Sequence, residues 1–332
     1  MFWTSYFLAV LAIALAWPVP ILLSRAQWPA RSPSTAMLLW QAIALAGGLS
    51  MIGAMLVYGL EPIGDNLIAG LRGLAGMVFR NEPTTELGFW HIFALSAAAL
   101  LSAHLVFTLL LTYYKIQRQR RRHRELLALL ASPSSEAART MVISHDSPVA
   151  YCLPGGARSV TVLSDGLMAA LEPDELRAVL SHENAHLSQR HHLLLWAFAA
   201  WRQALPWLPT TRLAQEAVNS LIEMLADDVA LKTESKATLI KAIAIVASGS
   251  ATGTGPGAAP AARMAFGSSE ADSTQPGATG GAGAMVTTAT RVSRLLSPQP
   301  PLPQGMRYAV LAACILLLAA PTALLIVPGL LG

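Results

Sequence analysis

The chain has 332 residues, of which 54% are hydrophobic and 13% charged, with a formal net charge of +4. An ordinary soluble domain carries about 25% charged residues, so a simple soluble enzyme is excluded, and the apolar content excludes a disordered polymer. The two cysteines, Cys152 and Cys314, exclude a disulfide-stapled scaffold.

Four stretches reach the roughly 20 apolar residues that a helix needs to cross a hydrocarbon core: Phe2–Ser24, Ala36–Leu60, Phe89–Tyr114 and Tyr308–Leu331. The first lacks both a positive leader and a small-residue cleavage site, so it reads as a retained span, kinked at Pro18 and Pro20. Gly47, Gly48, Gly53 and Gly59 in the second permit close helix contact, including with a second copy in a homodimer. Between spans two and three, Leu67, Ile68, Leu71, Leu74, Ala75, Val78 and Phe79 recur at helical spacing, which predicts an amphipathic helix near 64–80 on the outer leaflet. His91 and His104 in the third span are either functional groups or interhelical hydrogen-bond partners.

Orientation follows the Lys/Arg bias of the short loops. Lys115, Arg118, Arg120, Arg121, Arg122 and Arg124 form one run directly after span three, whereas the loop between spans two and three has Arg72 and Arg80 against Glu61, Asp65, Glu82 and Glu86. This puts both termini outside and the segment between spans three and four in the cytoplasm. From Glu125 to Gly305 there are 12 Lys and Arg against 15 Asp and Glu. The basic run is therefore a local anchor on anionic membrane lipids, and direct nucleic-acid binding is not expected.

Within the cytoplasmic segment, Thr140–Ser144, Val149–Leu153 and Ser159–Leu163 are β-rich runs, the last two joined by a Pro154-Gly155-Gly156 turn. Ser164 or Asp165 caps a short helix through Leu171, and Pro173 opens a second running to about Arg190. Leu193–Leu208 is helical but too short to span; Arg212–Thr233 and Ala237–Ala247 are further helices. From Gly249 to about Gly283 the composition falls to Gly, Ala, Ser, Thr and Pro, a flexible linker, with a short helix near 288–296 before the last span. The expected organisation is three spans in 1–115, a peptidase-like domain in 116–248, a linker in 249–305 and a fourth span in 306–332. The fold class is mainly α: a four-span membrane protein with a cytoplasmic α+β domain.

The second helix carries His182-Glu183-Asn184-Ala185-His186, an HExxH motif. Histidines four apart share a helix face and can place two imidazole nitrogens about 2.0–2.1 Å from one Zn²⁺, while the adjacent glutamate serves as general base. A third protein ligand must come from elsewhere. Glu223 qualifies, with Asp227 one turn on to orient a ligand histidine; Glu216, Asp228 and Glu234 remain open on geometry alone. Arg190, His191 and His192 are candidates for transition-state or substrate contacts, although the two histidines also suit the negative end of the helix dipole. Tyr151 and Cys152 read as sheet residues.

Four spans, HENAH at His182–His186 followed by Arg190-His191, and Glu223-Met224-Leu225-Ala226-Asp227 together resemble the BlaR/MecR-type membrane metallopeptidases of bacteria. More distant relatives are the HtpX-like and CAAX-prenyl peptidases. The resemblance implies a zincin-like fold, Zn²⁺ held by His182, His186 and Glu223, Glu183 as catalytic base, Asp227 behind a ligand, and a BlaI/MecI-type repressor as the cleaved partner. The beta-lactam-sensing members continue past the fourth span into a penicillin-binding domain, whereas this chain stops at Gly332; a covalent antibiotic sensor is not expected. Three functions follow: a signalling protease cleaving a cytoplasmic repressor and its own linker between Gly249 and Arg294, an HtpX-like quality-control protease, or a receptor or scaffold with structural zinc.

Overall fold

Proline sets the first break in the chain. Helix α1 (Phe2–Ala16) gives way at Trp17, and Pro18, which lacks the N–H that an interior helical residue donates, opens α2 (Pro18–Ser24). The computed structural model describes residues 2–80, 87–133, 139–155, 159–252 and 280–331. They divide into two compact units.

The first unit holds α1, α2, α3 (Pro33–Leu60), α4 (Leu67–Arg80), the start of α5 (Phe89–Leu130), residues 201–214 and α12 (Gln304–Leu331). Helices α1 and α12 both pack on α3, around Leu8, Ala54, Val57 and Leu325. The span-two glycines serve different ends. A Cβ on Gly59 would fall 2.6 Å from Leu95 Cγ and 3.0 Å from the His91 carbonyl, whereas one on Gly48 would meet nothing within 4 Å. His91 stacks on Tyr58, and His104 Nε2 lies 3.0 Å from the Ala204 carbonyl, so both have partners within the unit. Helix α4 packs on α3 and α12. Among the described residues four helices are long and apolar enough to cross a membrane, Phe2–Ser24, Pro33–Leu60, Phe89–Leu130 and Gln304–Leu330, and they fit a membrane protein.

The second unit holds residues 110–200 and 215–301. Helix α5 does not end with its apolar stretch but continues through the basic run to Leu130. The reason is a second stripe: Ile116, Arg120 and Leu127 recur at helical spacing and are buried. Leu127 packs with Tyr151, Leu153 and Val162, His123 Nε2 lies 2.7 Å from the Tyr151 hydroxyl, and Arg124 donates to the Pro154 carbonyl.

A four-stranded sheet follows, β1 (Ala131–Pro133), β2 (Thr140–Ile143), β3 (Ala150–Leu153) and β4 (Val160–Ser164), in the order β1-β2-β4-β3. β3 and β4 form the expected hairpin, with Tyr151 opposite Val162; β2 runs parallel to β4, and β1 was not foreseen. Ser164 caps α6 (Asp165–Ala170) by accepting from the Leu167 N–H at 3.1 Å.

Asp165 clasps the loop before it, accepting from the His145 N–H at 2.7 Å and from the Ser144 hydroxyl at 3.0 Å. That closeness demands Gly166, where a Cβ would lie 2.0 Å from the Asp146 carbonyl oxygen. Gly166→Ala is expected to cost about 3 kcal/mol through forced backbone displacement and to lower Tm by roughly 5–10 °C, read by thermal denaturation in detergent.

Helix α7 (Pro173–Ser188) begins where the Glu175 carboxylate accepts from the Glu172 N–H at 2.9 Å. α8 (His191–Ala204), α9 (Pro209–Ala230), α10 (Lys236–Thr252) and α11 (Gly280–Leu296) complete the chain up to α12. Helix α7 packs on β3, β4 and α10, and α11 packs on α10, around Leu163, Leu167, Ala178, Leu239 and Leu295. Helical order thus extends past 249 at one end of the expected linker and begins at Gly280 at the other; the linker stretch 253–279 lies outside the described residues.

Candidate metal centre

Helix α7 presents His182 and His186 one turn apart, on the side that faces α9. Their Nε2 atoms are 3.2 Å apart, and Glu223 of α9 reaches both: Oε2 lies 3.4 Å from His182 Nε2 and Oε1 3.5 Å from His186 Nε2. Three ligands with bonds of 2.0–2.1 Å to a tetrahedral ion sit about 3.3–3.4 Å from one another. The triangle therefore has the size of a tetrahedral metal site, and these three residues are close enough to hold one ion. Glu216, Asp228 and Glu234 are not in the group.

The nitrogens facing away from the triangle also have close neighbours. His182 Nδ1 lies 3.0 Å from Asp227 Oδ1, one turn along α9 from Glu223. His186 Nδ1 lies 3.1 Å from Nδ1 of His191, whose Nε2 is 2.8 Å from the Gln189 side-chain oxygen. Arg190, between them, is exposed and has φ 52°, the left-handed conformation that ends α7 and starts α8. His192 has the Arg120 and Arg190 guanidiniums and the His191 ring as neighbours and is not in the triangle.

Burial and charge set the titration of the centre. Burial opposes the imidazolium at His182, but the Asp227 and Glu223 carboxylates outweigh it and raise the pKa to about 9. At His186 burial prevails, pushing the pKa down to about 4. Burial also raises Glu183, partly offset by the His182 charge, and Glu183 Oε2 makes no hydrogen bond within the described residues. The Cys152 thiol of β3 bonds to Glu183, and its own burial holds it neutral.

Arg291 of α11 is a member of the centre that the sequence reading passed over. Its Nε and Nη2 donate to Asp227 Oδ2 and Oδ1 at 2.8 and 2.6 Å, and its Nη1 donates to Glu223 Oε2 at 2.9 Å. Burial resists the ionised forms of Glu223 and Asp227, yet Arg291 and the histidines hold both well below the usual carboxylate range. Asp228, about 100° round the helix from Asp227, pairs instead with Arg294 at 2.8 Å. The available signal was the pair Arg291 and Arg294 on an otherwise uncharged helix, against a run on α9 with three acids.

No curated protein and no solved structure matches the chain. Residues 116–234, a little over a third of its length, match the profile of Peptidase family M48, which supports a metallopeptidase of that family for this segment and does not single out the BlaR/MecR type.

Proposed function

We propose that the chain is a membrane-embedded zinc endopeptidase. The observation that carries the reading is the triangle of His182 Nε2, His186 Nε2 and Glu223, sized for a tetrahedral ion, with Glu183 beside His182 and its Oε2 without a hydrogen-bond partner among the described residues. Two imidazoles and one carboxylate suit zinc and leave a fourth position open. A bound zinc ion would supply Lewis-acid polarisation of the scissile carbonyl and of the attacking water. Glu183 takes a proton from that water as its oxygen bonds to the carbonyl carbon. As the C–N bond breaks, Glu183 returns the proton to the leaving amine, so the base is regenerated. Asp227 orients His182 through Nδ1, and Arg291 holds Asp227 and Glu223 in place. A scaffold with structural zinc would have no use for Glu183.

The substrate would be an extended polypeptide. Among the described residues β3 pairs with β4 on one side only, and Cys152 of β3 bonds to Glu183, so a peptide added along the other edge would run past the general base. The basic run Lys115–Arg124 supports a cytoplasmic position for the peptidase segment. The BlaR/MecR resemblance makes a BlaI/MecI-type repressor the favoured partner, with HtpX-like cleavage of damaged membrane proteins as the rival.

The test is metal content and cleavage by the full-length protein in membranes, with fragments mapped by mass spectrometry. Wild type is expected to hold about one zinc per chain, to lose cleavage when a chelator strips it and to regain it when zinc is returned. Glu223→Ala should hold less metal. Cleavage that persists after stripping would end the zinc reading, and the mapped fragments distinguish a repressor substrate from unfolded membrane proteins.

A further inference from the structure

The centre treats its two ligand histidines unequally. His182 has a carboxylate behind it, Asp227, whereas His186 has another imidazole, His191, and His191 is 2% exposed, too enclosed to meet a substrate. We propose that His191 is a positioning residue that accepts the Nδ1–H of His186 and so reserves His186 Nε2, the nitrogen facing Glu223, for the metal. The inference rests on the metal-site reading above.

The two contacts of the His191 ring fix where its proton sits. The Gln189 side-chain oxygen can only accept, so His191 Nε2, at 2.8 Å, carries the hydrogen. A neutral His191 then has its lone pair on Nδ1, and the His186 Nδ1 that faces it at 3.1 Å must be the donor. That fixes His186 as the tautomer whose ring lone pair is on Nε2.

The backbone explains how a residue five positions on comes to lie there. In an unbroken helix, His191 would point about 140° away from His186. Arg190 takes a left-handed conformation instead, and the chain turns back so that the two rings meet edge to face, 5.1 Å between centroids. Gln189, the last cap residue of α7, is placed by the same turn, with its N–H donating to the Ala185 carbonyl at 3.0 Å. Fixing a ligand's tautomer and ring plane through its second nitrogen is worth about 10–100-fold in metal affinity.

The test is zinc affinity, measured on metal-stripped full-length protein in detergent by competition with a chromophoric chelator. His191→Phe keeps a ring and removes the acceptor; His191→Asn places an amide oxygen where Nδ1 was. Phe is expected to weaken zinc about 10–100-fold and Asn to stay within about threefold of wild type. Wild-type affinity in His191→Phe would overturn the proposal. Equal losses in both variants would overturn it too, because the ring's bulk rather than its lone pair would then matter. Should His191→Phe fail to fold, Gln189→Leu decides: it changes an exposed side chain, a several-fold weakening supports the proposal, and unchanged affinity ends it. A wild-type chain that binds no zinc removes the metal-site reading itself, an outcome distinct from wild-type binding that the variants leave untouched.

Discussion

Glu183→Gln is expected to lower peptide-bond cleavage by about 10²–10⁴-fold, the usual contribution of a positioned general base, while its zinc content stays that of wild type. The amide has the shape of the carboxylate and can still accept from the Cys152 thiol, but it cannot take up a proton. Glu183 is buried, burial raises its pKa, and Oε2 has no hydrogen-bond partner among the described residues. Removing such a charge relieves desolvation, so the variant should unfold at the wild-type temperature or above it. Activity, metal content and Tm read on one preparation therefore separate a lost base from a lost fold. Cleavage at the wild-type rate would remove Glu183 from the mechanism.

What could be read in advance divides by the distance over which the determining interaction acts. The HExxH helix, the β3–β4 pairing and the start of α6 are set largely by local signals, the Pro173 position, the alternating β-rich runs and the Ser164 cap, and the sequence reading matches them closely. The pairing of Glu223 with Asp227 was also visible, because residues one turn apart share a helix face. The continuation of α5 to Leu130 was hidden by six cations that read as a membrane anchor, although Ile116, Arg120 and Leu127 already carried the helical period. His191 was read as a partner for the helix dipole. Its contact with His186 depends on the sign of φ at Arg190, a non-glycine residue in a conformation that local composition does not favour. Arg291 was out of reach for a different reason, since it meets Asp227 and Glu223 across 64 and 68 residues of chain and lies beyond the matched segment 116–234.

That distance makes Arg291 the most consequential single side chain outside the ligand set. Arg291→Leu strips Asp227, 1% exposed, and Glu223, 29% exposed, of the guanidinium that both bind. Removing one partner of a buried ion pair costs about 3–5 kcal/mol, and with Asp227 almost wholly enclosed the loss should fall in that range. The expected Tm decrease in metal-stripped protein is roughly 10 °C. Arg291→Lys should recover only part of it, because one ammonium cannot supply the two parallel bonds to Asp227 and the third to Glu223 that the guanidinium fork makes. Saturating zinc should narrow the gap between variant and wild type, since a cation at the triangle gives Glu223 a new counter-charge and its binding adds stability to whichever fold holds it. A gap that stays the same with and without zinc would mean that Arg291 acts on packing alone. A chain ending after α10 should be at least as unstable as Arg291→Leu, because it loses the same guanidinium together with Leu295, which is buried against Leu163 and Leu239. The metal ligands lie within residues 182–223, but on this argument their geometry depends on a helix that the chain supplies only after residue 280.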